Sequence, residues 1–418
     1  MTDSSQTVQS PLHTQSLIIH PSPEFLLLVE CSWLAPHRLH ELQRTAIASR
    51  LAVPINWDIF IDLTERHRVQ TLAYIQLSRH GSGKVPENVL RHLKERSTAC
   101  RLLALRQAAE FARLADRLAA AGIQVLPFKG VTLSERLFGD PGTRHSRDID
   151  LLVKPEDIET ACLILESDGY STRPPRNSLS PRQHQSFIRH FHHFEYSSPA
   201  GVPVELHWSF YAWPAEQVRQ VWEHSVPAEY AGIGIRTLDD DMLLLTLCDH
   251  GAKHAWFRLK WLSDIVQLLT GERPEGWGSA IALAEQLDLK RTLAQAAALV
   301  HRIYGIRLPD EISALVSAER EIERLCQPAL EGVSKSSDEL ASFGKRMEGL
   351  QAVLQIWQRR PSLSWRTVLM PILTQPADYR DFPLPDSLFW LYIPLRPYFW
   401  LRRHYLKPDE TRSGNRTN

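Results

Sequence analysis

Three parts of the chain repeat apolar residues every three to four positions, the pattern of helices that bury one face. These parts are residues 54–80, 90–122 and, after a long interval, 240–305. Within the interval, short apolar runs alternate with glycine turns and polar segments. The chain is therefore predicted to hold a small α/β unit between two helical regions.

The order of elements inside the α/β unit follows from its turn residues. In chain order we predict a strand over 123–128, a helix over 131–138, a strand over 148–153, a helix over 155–168 and strands near 193–198 and 201–210. Residues 171–194 are polar and rich in histidine, and we predict a mobile loop there, exposed to solvent or in contact with substrate.

These patterns divide the chain into a tail, a core and three further parts. We expect a disordered tail over 1–22, a helical region over 23–120, the α/β core over 121–237, a helical domain over 238–333 and a Pro- and Trp-rich extension over 334–418. Trp390 and Trp400 are expected to pack the extension onto the core. The predicted class is α+β, a small mixed sheet with flanking helices.

Composition narrows the range of partners. The chain has 48 Lys and Arg and 48 Asp and Glu, so no positive excess attracts nucleic acid. The most apolar C-terminal stretch, residues 388–406, is interrupted by Arg396 and two prolines, so no membrane span is expected. Five scattered cysteines without a CxxC pair and an N-terminus without signal-peptide features predict a cytoplasmic protein with reduced thiols.

Two carboxylates interrupt the apolar strand "DIDLLV". Residues i and i+2 of a strand share a face, so Asp148 and Asp150 point one way and Ile149 the other. Two such carboxylates repel one another, and each is costly to bury without a partner. A divalent cation such as Mg²⁺, with Mn²⁺ as the alternative, would relieve both costs. A second ion about 3.5–4 Å away would permit an in-line displacement.

A third carboxylate lies on the later strand "VPVELHW". Val204 and Leu206 share one face of this strand, which leaves Glu205 and His207 on the other. Its distance along the chain suits a strand next to the first. Asp-x-Asp alone occurs on many surfaces, so the hypothesis of a metal site depends on Glu205 and on the strand, turn and helix that precede the pair.

The segment "PFKGVTLSERLFGDPGTRHSRDIDLLV" resembles a bacterial family of uncharacterised nucleotidyltransferases within the DNA polymerase beta-like superfamily. The resemblance extends to "VELHWSF", "LCDHGAKHAWFRLKWLSDI" and "LYIPLRPYFWLRRHYL" and so covers most of the chain from about residue 25. It implies a small mixed sheet, metal ligation by Asp148, Asp150 and Glu205, and transfer of a nucleoside monophosphate from an NTP such as ATP to an acceptor with release of pyrophosphate. The acceptor would be a small molecule or a protein.

The chain departs from the superfamily pattern in its phosphate-binding turn. Lys129 and Gly130 stand where a Gly-Ser pair is usual, with a longer spacing to Asp148, and the third carboxylate is Glu rather than Asp. Lys129 and the amides that follow Gly130 would take over contacts with phosphate. Arg144 would grip phosphate as well, or else Lys129 and Arg144 only neutralise the acidic cluster.

The segment "DHGAKHAW" supplies further candidates from the helical domain. Lys253 and His254 would reach the triphosphate across a cleft, and the alternative for His254 is a helix-packing role. His250 and His254 lie at i and i+4, a spacing that also fits zinc, although no HExxH glutamate lies between them. Asp264 is predicted to pair with His254 or Lys260, and His207 to orient Glu205.

Two other functions stay open at the level of the sequence. One is a non-catalytic nucleotide-binding, regulatory or scaffold protein that retains the fold. The other is RNA-directed transfer, against which the neutral charge balance speaks, because RNA binding depends largely on neutralising phosphates.

Overall fold

The computed structural model describes residues 21–402 except 82, 173–175, 336–355, 357, 358, 361, 364–369, 371, 372 and 374. Most of the predicted N-terminal tail and much of the predicted C-terminal extension therefore lie outside the described residues. Ser22 belongs to the described part. Its hydroxyl accepts the amide N–H of Phe25 at 3.2 Å and caps the first helix.

The chain begins with helices that pack on one another. They are α1 (Pro23–Cys31), α2 (His40–Arg50), α3 (Trp57–His67), α4 (Gln70–His80) and α5 (Glu87–Ala119), with a 3-10 turn at His37–Leu39. Asn56 begins α3, since its side chain accepts the amide N–H groups of Asp58 and Ile59. Three residues beyond α5, Gly122 adopts a φ of 77°, which reverses the chain toward the sheet.

The long helix α5 takes part in two hydrophobic clusters. Its 33 residues span about 50 Å at 1.5 Å per residue. Near its start, Val89 and Leu93 join a cluster built mainly by the other helices. Near its end, Phe111, Leu114 and Leu118 join a second cluster, which lies against the sheet. One helix thus connects the helical core to the core of the sheet.

A five-stranded mixed sheet lies at the centre, in the order β1-β2-β5-β4-β3. Its strands are β1 (Leu126–Pro127), β2 (Ile149–Leu152), β3 (Ser171–Thr172), β4 (His193–Ser197) and β5 (Pro203–His207). Strands β2 and β5 run parallel, and the other pairs are antiparallel. A separate hairpin, β6 (Ser225–Tyr230) and β7 (Ile233–Leu238), was not predicted from the sequence.

Helices on either side of the sheet complete this part of the fold. They are α6 (Gly130–Phe138), α7 (Ile158–Ser167), α8 (Pro181–His190) and α9 (Ala215–Glu223), with 3-10 turns at Pro155–Asp157 and Arg176–Ser178. As predicted, α6 ends at Gly139, which has a left-handed φ of 71°.

The predicted mobile loop over 171–194 is wrong where α8 forms. Ser180 and Gln183 make a capping box, in which each side chain bonds the backbone N–H of the other residue, and Pro181 opens the first turn. Phe187 anchors the helix by stacking on Phe194 of β4, with ring centroids 4.7 Å apart. Ordinary capping and aromatic packing therefore order a segment whose polar composition resembles a loop.

The rest of the described chain is helical. It contains α10 (Asp240–Lys253), α11 (Leu259–Thr270), α12 (Gly278–Gln286), α13 (Lys290–Tyr304), α14 (Asp310–Ala318), α15 (Ile322–Ser334), α16 (Pro376–Asp381) and α17 (Tyr392–Leu401), with a 3-10 turn at Asp386–Leu391. Among these described helices none is both long and apolar enough to cross a membrane.

The expectation that Trp390 and Trp400 pack the C-terminal segment onto the core is wrong. Their exposed fractions are 63% and 44%, whereas Tyr392 and Phe399 are buried. These two are seven positions apart, so they share one helical face. The Tyr392 hydroxyl accepts the Gln183 side-chain N–H at 3.0 Å, which connects this segment to α8. The overall class is α+β, as predicted.

Candidate active site

The parallel pairing of β2 and β5 brings two carboxylates side by side. Asp150 and Glu205 are register partners, and Asp148 lies one residue before β2 begins. The neighbouring residues Ile149 and Val204 point into the core beneath the sheet. Asp148, Asp150 and Glu205 therefore line the same cleft, whose cavity volume is about 450 Å³.

The loop before β2 is held by side chains of α6. Ser134 donates its hydroxyl hydrogen to the Asp140 carbonyl at 2.7 Å and accepts the Arg144 amide N–H at 2.9 Å. Gly130, at the start of α6, has a φ of 77°, and a Cβ there would lie 3.6 Å from the Asp148 carbonyl oxygen. The positive φ favours glycine at this turn, and the turn lies in contact with the backbone of Asp148.

Lys129 and His207 engage the carboxylate of Asp150. Lys129 Nζ lies 2.8 Å from Asp150 Oδ1, and His207 Nε2 lies 3.4 Å from the same oxygen. Burial opposes ionisation of Asp150, but the Lys129 charge and the His207 hydrogen bond outweigh it and hold the pKa of Asp150 well below its usual range. Burial lowers the pKa of Lys129, but the charges of Asp150 and Glu205 raise it by more than burial lowers it. The pKa is therefore above its ordinary value, and the ammonium stays charged.

His207 also contacts Glu205, as predicted for an orienting residue. Its Nε2 lies 3.0 Å from Glu205 Oε2. Burial alone would raise the pKa of Glu205, but this hydrogen bond lowers it overall. Asp150, Glu205 and His207 each place one ligand atom within 4.8 Å of the other two, a separation that one cation can bridge.

Among the described residues, no cationic side chain forms an ion pair with Asp148 of the kind that Asp150 forms with Lys129. Burial, and then the charges of Asp150 and Glu205, raise the pKa of Asp148 above the ordinary value of 3.8. In the described part of the chain it belongs to no group of three ligand atoms as close as the one above. Its carboxylate would have to turn toward Asp150 to share a cation with it.

Basic side chains of the helical regions line the same cleft, and we call them its basic wall. They are Arg68 beyond α3, Lys253 at the end of α10, and Arg258 and Lys260 at the start of α11. Burial and then the charge of Arg258 lower the pKa of Arg68 to about 9. Burial and the neighbouring Arg144 and Arg68 lower the pKa of Lys260 well below its usual range. Crowding of like charges indicates a site prepared for an anion.

A glycine positions the turn between α10 and α11. The Trp256 ring is fully buried and lies where a Cβ on Gly251 would approach it to 2.2 Å. Trp256 Nε1 donates to Gln295 Oε1 at 3.2 Å, and Trp256 has a φ of 57°. This packing fixes the turn that carries Lys253 and Arg258 into the cleft.

Lys253 and His254 both line the cleft, but their environments differ. Lys253 Nζ lies 5.0 Å from the centroid of the Tyr211 ring. Burial and the charge of Lys129 lower the pKa of Lys253 to about 8. His254 stacks on Trp261, with centroids 4.9 Å apart and an angle of 11° between the rings. Burial and the charge of Lys253 lower the pKa of His254 to about 3, so it is neutral at physiological pH.

Asp264 pairs with a buried arginine rather than with the partners predicted for it. Asp264 bonds Arg144, whose Nε and Nη2 donate to its two oxygens at 2.7 and 2.9 Å, so the predicted pairing with His254 or Lys260 is wrong. Arg144 lines the cleft, yet its side chain is only 3% exposed. His250 and His254 are not among the described groups of three potential metal ligands.

Several cleft residues escaped sequence analysis. Arg68 lies outside the quoted motifs, and Arg258 and Lys260 lie within one of them but were given no role in binding phosphate, because only the folded chain brings these three residues to one cleft. His192 was included only in the histidine-rich segment predicted as a loop, His193 stood where that segment meets the strand predicted near 193–198, and both line the cleft. The adjacent strand at 193–198 was the signal that could have placed them.

Fold and site together are those of a nucleotidyltransferase-like protein, with carboxylates on adjacent strands facing a basic helical wall. The chain belongs to the family described as uncharacterised nucleotidyltransferase, whose model matches residues 54–305. The matched range runs from α3 to the end of α13 and includes all three carboxylates, which confirms the resemblance. No curated protein and no solved structure matches the chain.

Proposed function

We propose that the protein is a Mg²⁺-dependent nucleotidyltransferase that transfers a nucleoside monophosphate from an NTP to an acceptor hydroxyl and releases pyrophosphate. The observation that carries this proposal is the position of Asp148, Asp150 and Glu205 on one wall of a cleft whose other wall is basic. An acidic wall suits a hard cation, and a basic wall suits a triphosphate.

The three carboxylates fit a magnesium ion by their chemistry. All their donor atoms are oxygens, which Mg²⁺ prefers, and the raised pKa of Asp148 records burial and repulsion that a divalent cation would relieve. Asp148, Asp150 and Glu205 would hold the ion. When bound, it would supply positive charge next to the phosphate oxygens of the NTP.

The chain's own residues would orient the triphosphate. Lys129 holds Asp150 at 2.8 Å and presents its ammonium to the cleft, and the amides at the start of α6 follow it directly. In the basic wall, Lys253, Arg258 and Lys260 would take the phosphates that leave as pyrophosphate. Arg144 positions the loop before Asp148 through its bond to Asp264 rather than by contact with phosphate.

The transfer needs an acceptor for one proton. As the acceptor oxygen bonds to the α-phosphorus, the bond from that phosphorus to the bridging oxygen breaks, and pyrophosphate leaves with the electron pair. Glu205 would receive the hydroxyl proton, because its side chain is 25% exposed and the hydrogen bond from His207 keeps it ionised.

Labelled nucleotides test the proposal. With NTP labelled at the α-phosphate, we expect label to pass into an acceptor fraction of cell extract, with Mg²⁺-dependent pyrophosphate release. Asp148→Asn should abolish both, whereas the matched variant Glu229→Gln, an exposed carboxylate on β6, should retain them. Undiminished transfer by Asp148→Asn would refute the assignment.

The Lys129–Asp150 ion pair favours a second candidate, a nucleotide-binding protein that carries out no transfer. An ammonium 2.8 Å from Asp150 already neutralises one of the carboxylates that a catalytic cation would need. Calorimetric titration of each NTP with and without Mg²⁺ separates the two functions. Nucleotide binding without pyrophosphate release supports the second, and binding followed by release supports the first.

A further inference from the structure

The imidazole rings of His192, His193 and His207 lie close together beside the carboxylates, where β4 begins and β5 ends. His192 lies just before β4, His193 begins β4, and its register partner His207 ends β5. One ring nitrogen from each lies within 4.8 Å of the other two. The ring centroids are 4.5 Å apart for His192 and His193, and 4.8 Å for His193 and His207.

Two of these rings have one nitrogen close to a carboxylate and the other without a hydrogen-bond partner among the described residues. His207 Nε2 lies 3.0 Å from Glu205, and His193 Nε2 lies 3.6 Å from Glu195 Oε1. The Nδ1 atoms of His193 and His207 are buried and have no hydrogen-bond partner among the described residues. A buried polar atom without a partner costs about 1–3 kcal/mol, so such an atom calls for a ligand.

The same arrangement is typical of histidines that bind metals. A metal-ligating histidine usually gives its second ring N–H to a carboxylate, which fixes the tautomer and leaves the first nitrogen free to coordinate. Glu205 occupies that second position for His207 at 3.0 Å, and Glu195 lies within ion-pair distance of His193 at 3.6 Å. His207 is 4% exposed, so packing already holds its ring in place.

We propose that His192, His193 and His207 form a binding site for Zn²⁺ or a similar borderline divalent cation, separate from the magnesium site. Imidazole nitrogens suit Zn²⁺, Co²⁺ and Ni²⁺, whereas Mg²⁺ prefers oxygen. All three histidines line the cleft, so a fourth coordination position would be open to water or to a ligand.

His207 connects the two sites. A cation on its Nδ1 fixes the ring proton on Nε2, the atom that faces Glu205 and Asp150. The occupied histidine site would therefore hold both carboxylates of the sheet in position. One charge opposes the cation, because Lys253 Nζ lies 3.5 Å from His192 Nε2.

Cobalt serves as the probe, since Co²⁺ replaces Zn²⁺ and absorbs visible light when it is held in a low-coordinate nitrogen site. The full-length protein is titrated with Co²⁺ in millimolar Mg²⁺, which keeps the oxygen site occupied. We expect one equivalent to bind with visible bands. His193→Ala and, as a second variant, His192→Gln should weaken binding by about tenfold or more. No bound Co²⁺ in the wild-type protein overturns the proposal.

The matched control is His190→Ala, which removes a histidine of the same segment that lies on α8 outside the cluster. It should bind Co²⁺ as the wild type does. Lys253→Met should tighten binding, because it removes the opposing charge. Circular dichroism identifies any variant that fails to fold. If folded His193→Ala and His192→Gln both keep the wild-type affinity and bands, the cation is bound elsewhere and the proposal is wrong.

The test is independent of nucleotidyl transfer. Asp148→Asn removes a carboxylate of the magnesium site but leaves the three imidazoles, so its Co²⁺ bands should persist. Loss of transfer with retention of Co²⁺ therefore leaves the histidine site standing, whereas loss of both transfer and Co²⁺ binding in this variant refutes the histidine site alone.

Discussion

Arg144 and Asp264 form a bidentate ion pair with both side chains almost fully buried, 3% and 2% exposed. The pair joins the loop that delivers Asp148 to helix α11 of the basic wall. Its two hydrogen bonds, of 2.7 and 2.9 Å, fix distance and angle together, as a single lysine contact would not. The width of the cleft therefore depends on a contact away from the reacting groups.

Breaking this pair should destabilise the fold strongly. Asp264→Asn leaves Arg144 buried beside Lys260 without its counter-charge, and we expect the free energy of unfolding in urea to fall by about 3–5 kcal/mol. The double variant Arg144→Met with Asp264→Leu should recover much of that loss, because neither buried charge remains. Glu41→Gln breaks an exposed pair with Arg44 and serves as the control, with no measurable change expected. A small effect of Asp264→Asn would show that the pair is not a structural link.

Asp148→Asn should stabilise the protein near neutral pH while it abolishes transfer. The pKa of Asp148 is raised in the folded state, so its protonated form favours folding. This contribution is complete below the ordinary pKa of 3.8 and is lost as pH rises through the raised value. The variant should thus be more stable by about 0.5–2 kcal/mol at neutral pH and equal to wild type in acid, as urea denaturation at several pH values would show.

Asp150→Asn should have the opposite effect, a loss of stability near neutral pH. The pKa of Asp150 is lowered, so its stabilising contribution is present above 3.8 and is lost as pH falls through the lowered value. We expect this variant to lose about 3–5 kcal/mol near neutral pH, because Lys129 is left buried without its partner. Equal changes in the free energy of unfolding for Asp148→Asn and Asp150→Asn would contradict the different environments assigned to these two carboxylates.

The affinity for nucleotide should depend on the charge of Lys253. Its pKa of about 8 means that the ammonium loses its proton as pH rises through that value, in a neighbourhood that also contains Lys129, Glu205 and Asp249. Nucleotide binding measured by calorimetry in Mg²⁺ should weaken by about tenfold or more above this pH. Lys253→Arg keeps the charge, so its affinity should vary less. Parallel pH profiles for the two proteins would exclude Lys253 as a phosphate contact.

Tyr392 should stabilise the C-terminal segment far more than Trp390 does. The Tyr392 hydroxyl donates to the Phe382 carbonyl at 2.7 Å and accepts the Leu384 amide at 2.9 Å. Tyr392→Phe leaves these groups without a partner and should cost about 1–3 kcal/mol in urea denaturation. The matched variant Trp390→Phe changes a side chain that is 63% exposed and should shift stability by less than about 0.5 kcal/mol. The reverse order would contradict the packing of α17.

The face of the sheet that carries the carboxylates was predictable because it depends on local periodicity. Alternation along a strand placed Asp148 with Asp150, and Glu205 with His207, and the structure directs both sets to one cleft. The parallel register that pairs Asp150 with Glu205 was not predictable. The two strands were expected to be neighbours, but more than fifty residues separate Asp150 from Glu205, and a single sequence does not fix the direction and register of such a pairing.

Of the basic wall, Lys253 was predicted, but Arg68, Arg258 and Lys260 were missed for a different reason. A cation on an amphipathic helix resembles any solvated charge until the packing partner of that helix is known. Lys260 lies in an ordinary helical pattern, and burial in the fold, not sequence, distinguishes it from a surface lysine. The error at α8 was avoidable, because Ser180, Pro181 and Gln183 form a capping pattern that is visible in the sequence. The expectation that Trp390 and Trp400 are packed on the core relied on the apolar character of tryptophan and did not consider which helical face each residue occupies.

Helix α5 has a consequence for dividing this chain into fragments. Because Val89 and Leu93 fill one core while Phe111, Leu114 and Leu118 fill the other, a cut at either end of α5 exposes apolar surface on both products. The second core lies directly beneath the strands that carry Asp150 and Glu205. The smallest fragment that retains these carboxylates in place must therefore include the whole helix, and heat should melt its two ends in a single cooperative transition.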